Sequence, residues 1–142
     1  MRSPASLYET DFLLWLEQQS AALKAGRLEA LDIPNIAEEL DGLASSQHRE
    51  LGRRMRVLLQ HLLKLKYQPA KASGSWRATV RDQRDEMDAL LEQSPSLKRF
   101  IPQVVAKEYP RARRNAADET GLPVESLPKD CPFSLDEILA SD

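Results

Sequence analysis

The sequence predicts an all-α protein, an up-and-down helical bundle with one long central helix and a short C-terminal helix. Three observations carry that reading. Apolar residues recur at helical spacing through most of the chain, proline and glycine cut it into helix-length pieces, and no segment alternates as a half-buried strand would. A chain of 142 residues suits one core, so residues 1–142 are read as a single helical domain.

The elements follow in order. After a short polar lead, Thr10 is placed to cap a helix carrying Phe12, Leu13, Leu16 and Leu23, with Trp15 beside the seam. Gly26 follows as the left-handed residue that ends it, and residues 27–31 form a tight connection. The central helix is expected from Asp32 to Lys66, with Asp32 as N-cap and Pro34 tolerated in the first turn. Two stripes run along it. Ile33, Ile36, Leu40 and Leu43 form the first; Leu51, Met55, Leu58, Leu62 and Leu65 form the second. Gln47 joins them through two consecutive steps of four, a stutter in the heptad rhythm, so a bend is expected near Gly42–Ser46. Gly52 marks a place where a neighbouring helix comes close, because glycine otherwise weakens a helix. Pro69 ends the pattern.

Ser75 is then expected to cap a third helix, with Trp76, Val80, Met87, Leu90 and Leu91 inward and Gln83 completing the spacing. Ser94-Pro95 opens a fourth, which Pro102 and Pro110 should split or kink before it closes at Gly121 and Pro123. A proline-rich tail follows along the bundle surface, and Ser134 with Glu137 forms a capping box for a last short helix. One core is expected from Leu16, Ile36, Leu40, Leu51, Leu58, Leu62, Trp76, Val80, Met87 and Leu90.

Composition narrows the class. Hydrophobic residues at 42% with 30% charged match a soluble globular protein. No apolar run reaches the ~18–20 residues of a membrane span, and the N-terminal residues lack a signal-peptide apolar core, so a cytoplasmic protein with no membrane partner is expected. The lone Cys131, between Asp130 and Pro132, reads as a packing residue, because an acidic setting raises a thiol's pKa. Charge is segregated. Residues 1–48 hold 3 basic and 8 acidic groups (−5), residues 49–114 hold 16 and 7 (+9), and residues 115–142 hold 1 and 7 (−6). The near-neutral sum favours acidic ends that pack back on the basic middle.

No phosphate loop, catalytic triad spacing or paired-cysteine metal motif is present, so no enzyme activity, cofactor or metal is assigned. Glu38 and Glu39 with His61 come nearest to a metal set, yet Glu39 and His61 lie about 33 Å apart along one helix. Nor do His48 and His61 share a face. Arg49, Arg53, Arg56, Gln60 and Lys64 form a basic stripe opposite the apolar one, which is ordinarily a solvated face. The stronger binding candidate interleaves cations with rings, the pair Trp76-Arg77 with Tyr67, Lys64, Lys66 and Lys71, a pattern able to contact phosphates and stack on bases. With two arginines of the stripe, the binding residues expected are Arg53, Arg56, Lys64, Tyr67, Trp76 and Arg77. Against it, Tyr67 and Trp76 are the residue types that pack a corner between helices. On the third helix Arg81 and Arg84 each have an aspartate four residues on, Asp85 and Asp88, which favours surface pairing.

The segments YETDFLLWLEQQSAALKAGRLEALDIPNIAEELDGL, LLQHLLKLKYQP, SWRATVRDQR, SPSLKRF, ETGLP and CPFSLDEIL, in that order, resemble the bacterial family called domain of unknown function 29. The resemblance covers essentially the whole chain. It implies a small soluble helical bundle and brings no established activity. The function expected is therefore binding of a protein partner. The alternative is nucleic-acid or polyanion binding through the basic middle, 49–114. The residues do not specify an oligomeric state.

Overall fold

A computed structural model describes residues 4–140 of the chain, and among them the regular structure is entirely helical. The six α-helices are α1 (Pro4–Thr10), α2 (Phe12–Lys24), α3 (Ile33–Tyr67), α4 (Gly74–Gln93), α5 (Ile101–Thr120) and α6 (Leu135–Leu139). The all-α class, the long central helix and the short terminal one stand as expected. The chain divides into two compact units, Met1–Ser46 and Gln47–Asp142. Their boundary falls within α3, at the stutter that the heptad spacing locates around Gln47.

In the N-terminal unit the polar lead is itself helical from Pro4, so Thr10 ends α1 instead of capping α2. Asp11 takes that role: its backbone is non-helical and its side chain accepts from the Leu14 N–H at 3.1 Å. Aspartate is the better cap, and its break in helical dihedrals separates the two helices. At the other end, Gly26 has φ +69 and its N–H reaches the Leu23 carbonyl while the Arg27 N–H reaches that of Ala22. This is a Schellman ending, which needs the left-handed residue that glycine supplies.

The interior of this unit is Trp15. Its ring meets Tyr8 edge-on at 4.7 Å and stacks on Phe12 at 5.8 Å, and its Nε1–H donates to Asp32 Oδ2 at 3.0 Å. Asp32 Oδ1 accepts from the Asn35 backbone N–H at 3.5 Å, the capping contact expected of it, and Oδ2 accepts from the Asn35 side chain at 2.8 Å, while Gln19 Oε1 accepts from the Asp32 N–H at 2.7 Å. Trp15, Gln19, Ala22 and Asp32 are buried.

The C-terminal unit holds a conventional core. Leu51, Met55, Leu58, Leu59 and Leu63 of α3 pack with Val80, Met87, Leu90 and Leu91 of α4, with Ile101, Val105, Tyr109 and Ala112 of α5, and with Ile138 of α6. Leu59 and Leu63 are fully buried although the sequence stripe omits them. Helices on more than one side widen the buried face of α3 beyond a single seam. Gly52 is a close approach, as its placement implied: a Cβ there would sit 3.1 Å from Glu108 Oε2.

Two further caps differ from expectation. Ser73, not Ser75, caps α4 and accepts from the Trp76 N–H at 3.4 Å, since Gly74 is already helical. Ser94 makes no side-chain cap; its hydroxyl donates instead to Gln47 Oε1. The segment it opens, Pro95–Phe100, is a 3-10 helix, and the change to α-helix comes at Ile101. Pro102 therefore sits in the first turn of α5, and Pro110 lies inside it. Both Pro110 and Ala106, four residues before it, are exposed, so the missing hydrogen bond lies on the solvated side.

The tail is pinned by side chains. Tyr109 Oη donates to the Pro128 carbonyl at 2.5 Å, and Arg113 donates twice to that of Leu127 at 3.0 and 3.1 Å. Ser134 and Glu137 form the capping box of α6. Arg84 donates to the carbonyls of Glu137 and Ile138 at that helix's far end.

The single core expected from the sequence needs correction. Leu51, Leu58, Val80, Met87 and Leu90 are buried, and Leu62 and Trp76 are half-buried, but Leu16 and Leu40 are exposed. Their unit is organised around Trp15 on a different face of α2, and Ile36 is only half-buried.

Candidate functional site

Two surfaces carry what the interiors leave over, one in each unit. In the N-terminal unit the apolar stripes that the sequence marks as core face solvent. On α2, Leu13, Leu16 and Leu23 fall on one side, roughly 100° round the helix from the buried Trp15, Gln19 and Ala22. On α3, Ile33, Leu40 and Leu43 form a second outward stripe, with Leu40 at 61% and Leu43 at 66% exposure. Phe12, Leu14 and Leu28 add to the exposed apolar surface. Charged side chains here are mainly acidic, including Glu17, Glu38 and Asp41.

In the C-terminal unit α3 and α5 flank a cleft of about 530 Å³. From α3 come His48, Arg49, Arg53 and Arg56; from α5 and the turn before it come Phe100, Gln103, Val104, Lys107 and Arg111. Gly52 and Glu108 make its floor. Absence of a side chain at Gly52 admits the Glu108 carboxylate, which is buried. Glu108 Oε1 takes Arg56 Nη1 at 3.4 Å and Arg111 Nη1 at 3.7 Å, so one carboxylate positions two guanidinium groups. Among the described residues no carboxylate lies in ion-pair range of Arg49, Arg53 or Lys107. At one end His48 meets Phe100 edge-on at 4.8 Å. The cleft thus joins an aromatic end to five cations facing one acidic group.

The six residues singled out in the sequence divide between different places. Arg53 and Arg56 are in the cleft. Lys64 is buried, bonded to Glu119 at 2.5 Å and lying 4.4 Å from the Trp76 ring centre, while Gln60 holds the other oxygen of Glu119 at 2.6 Å. Tyr67 packs half-buried against the core, and Arg77 is exposed. The α5 contribution escaped the sequence reading. Lys107 and Arg111, four apart on one helical face, were its available signal, and Gly52 pointed at the element that would approach.

His61 Nδ1 lies 2.9 Å from the Val57 carbonyl of its own helix. Burial pushes the Cys131 thiol up, consistent with a packing role. Among the described residues no three His, Cys, Asp or Glu side chains are grouped to hold a metal, and no helix is long and apolar enough to cross a membrane.

A family model described as "Domain of unknown function DUF29" matches residues 7–142. No curated protein and no solved structure matches the chain.

Proposed function

The chain belongs to the DUF29 family, and we propose that it acts by binding a protein partner through the outward apolar stripes of α2 and the front of α3. One observation carries the reading: of the ten exposed large hydrophobic side chains among the described residues, nine lie in Met1–Ser46. The six on the stripes are 39–66% exposed, and taking roughly 200 Å² for a fully exposed residue of this size, they present on the order of 700 Å² of apolar surface. That compares with the ~800 Å² each partner contributes to a standard interface. Scattered exposed leucines need no explanation, but stripes at steps of three and seven residues do, because that spacing is what a packing helix requires. The partner is expected to offer an apolar helical face with a basic rim, to suit the −5 of residues 1–48.

The test is a photo-crosslinking amino acid placed at Leu13 or Leu40 in the full chain, in the cells that make it. One discrete protein adduct is expected from both positions, lost when Leu16 and Leu43 are changed to lysine. A control probe at Gln18, exposed and on the side of α2 away from the stripe, should capture it weakly. Equal capture from Gln18, or no adduct at either leucine, would overturn the reading. If the adduct is a second copy of the chain, the partner is the protein itself.

A further inference from the structure

We propose that the α3–α5 cleft of the C-terminal unit binds a nucleoside di- or triphosphate, a ligand with an aromatic ring at one end and linked phosphates along the rest. The cleft draws on residues of Gln47–Asp142 alone, so its claim is independent of the apolar stripes. Its volume, about 530 Å³, falls within the range of small-molecule sites, ~300–1,000 Å³.

The chemistry is graded along its length. His48 and Phe100 form the aromatic end, with the Phe100 ring half-buried, the Arg99 guanidinium over it at 4.8 Å, and Val104 one turn on along α5. From His48 to Arg56 is eight residues of α3, about 12 Å. At that far end Arg56 and Arg111 are held by Glu108. Between lie Arg49, Arg53 and Lys107, all exposed.

Charge decides the ligand class. Arg49, Arg53, Arg56, Lys107 and Arg111 against Glu108 leave a balance of +4. Two linked phosphates or three bring about three to four negative charges, and guanidinium groups meet their oxygens with paired hydrogen bonds. Inorganic phosphate alone would leave most of that charge unmatched and would not reach the aromatic end. A long nucleic acid is the poorer fit, because the basic groups converge on a bounded hollow instead of tracking along a surface. Glu108 also orders part of the site: the buried carboxylate accepts from Arg56 at 3.4 Å before any ligand arrives, lowering the ordering cost of binding. Gly52 is required for that arrangement, since a methyl group there would press on Glu108 at 3.1 Å.

The test is calorimetric titration of the full chain at 150 mM salt with ADP, GTP, inorganic pyrophosphate and a 20-nucleotide single strand. Saturable one-to-one nucleotide binding is expected, with pyrophosphate at least tenfold weaker. The double change Arg53→Glu with Lys107→Glu should weaken the nucleotide at least a hundredfold. Both side chains are exposed, so an unchanged melting temperature should accompany the loss. Phe100→Leu should weaken the nucleotide several-fold and leave pyrophosphate unaltered, which a general loss of positive field would not do. No saturable binding of either nucleotide at millimolar concentration overturns the proposal. So does binding that survives the double charge reversal, or a single strand that binds more tightly than the nucleotides and ignores Phe100→Leu.

Discussion

The two units bury their apolar residues in opposite ways. Gln47–Asp142 encloses a cluster running from Leu51 to Ile138, drawn from four helices and the tail. Met1–Ser46 encloses Trp15 and Ala22 and turns most of its leucines outward. Polar groups follow the same division. In the C-terminal unit the buried Glu108 and Lys64 each pair across helices, with Arg56 and Glu119. In the N-terminal unit a hydrogen-bonded set of Trp15, Gln19, Asp32 and Asn35 sits where a larger domain would have packed leucine. A small interior held by directional bonds fixes the angle between two helices while adding little cooperative stability. The difference teaches that helical periodicity reports a need for a partner surface. It does not say that the chain itself supplies one.

Mutation of equivalent residues should sharpen the contrast most. Leu58→Ala opens a cavity in a close-packed interior and should cost about 2–5 kcal/mol in denaturant unfolding. Leu40→Ala, one of the outward stripe, should change stability by no more than about 0.5 kcal/mol. A similar cost for both would break the distinction.

A smaller effect is expected from Trp15→Phe. The ring stack with Phe12 and Tyr8 remains possible, but Asp32 loses the Nε1–H donor while staying buried. A lost partner of this kind typically costs about 1–3 kcal/mol. The loss should show as faster amide exchange in α2 with little change in the amides of residues 51–63. An equal acceleration in both regions would mean that the Trp15 network supports the whole chain.

Much of the fold was legible because it rests on local signals. The bounds of α3, the left-handed Gly26, the close approach at Gly52 and the capping box at Ser134 each depend on a few neighbouring residues. Caps at Thr10 and Ser75 went to a stronger or earlier competitor, Asp11 and Ser73. Burial was less legible. Leu40 and Leu58 occupy the same kind of position in their stripes, and only tertiary packing separates them. The cleft was half legible: Arg53 and Arg56 stand out within one helix, whereas Glu108 and Lys107 matter through their position across from it, 52 residues on in the case of Arg56 and Glu108. Lys64 and Trp76 looked equally available in the sequence, yet they are engaged with each other and with Glu119.

Titration should separate the units more gently. Burial raises the Asp32 carboxyl, but the hydrogen bonds from Asn35 and Trp15 outweigh it and hold the group below its ordinary value. A depressed carboxyl stabilises the fold above the unfolded pKa of ~3.9 and loses that contribution as pH falls through the folded value. The N-terminal unit should therefore loosen on acidification, and Asp32→Asn should flatten that dependence. In the C-terminal unit burial pushes Tyr109 up to about 12, with the Cys131 charge adding to it. A raised phenol contributes fully below the unfolded pKa of ~10 and loses its contribution as pH rises towards the folded value. The core should lose stability between about pH 10 and 12, and Tyr109→Phe should remove that loss. The reverse assignment of the two pH limits, read by region-resolved amide exchange, would contradict the comparison.

Hydrogen exchange of the unmodified full chain tests the central claim most directly, because it reads both units in one molecule. Amides of residues 51–63 should exchange only through global unfolding, whereas those of residues 12–24 should exchange at least a hundredfold faster through local opening, a gap of about 2.7 kcal/mol or more. Equal protection in the two segments would contradict it, since α2 would then be as firmly held as the core and its outward leucines would need no partner.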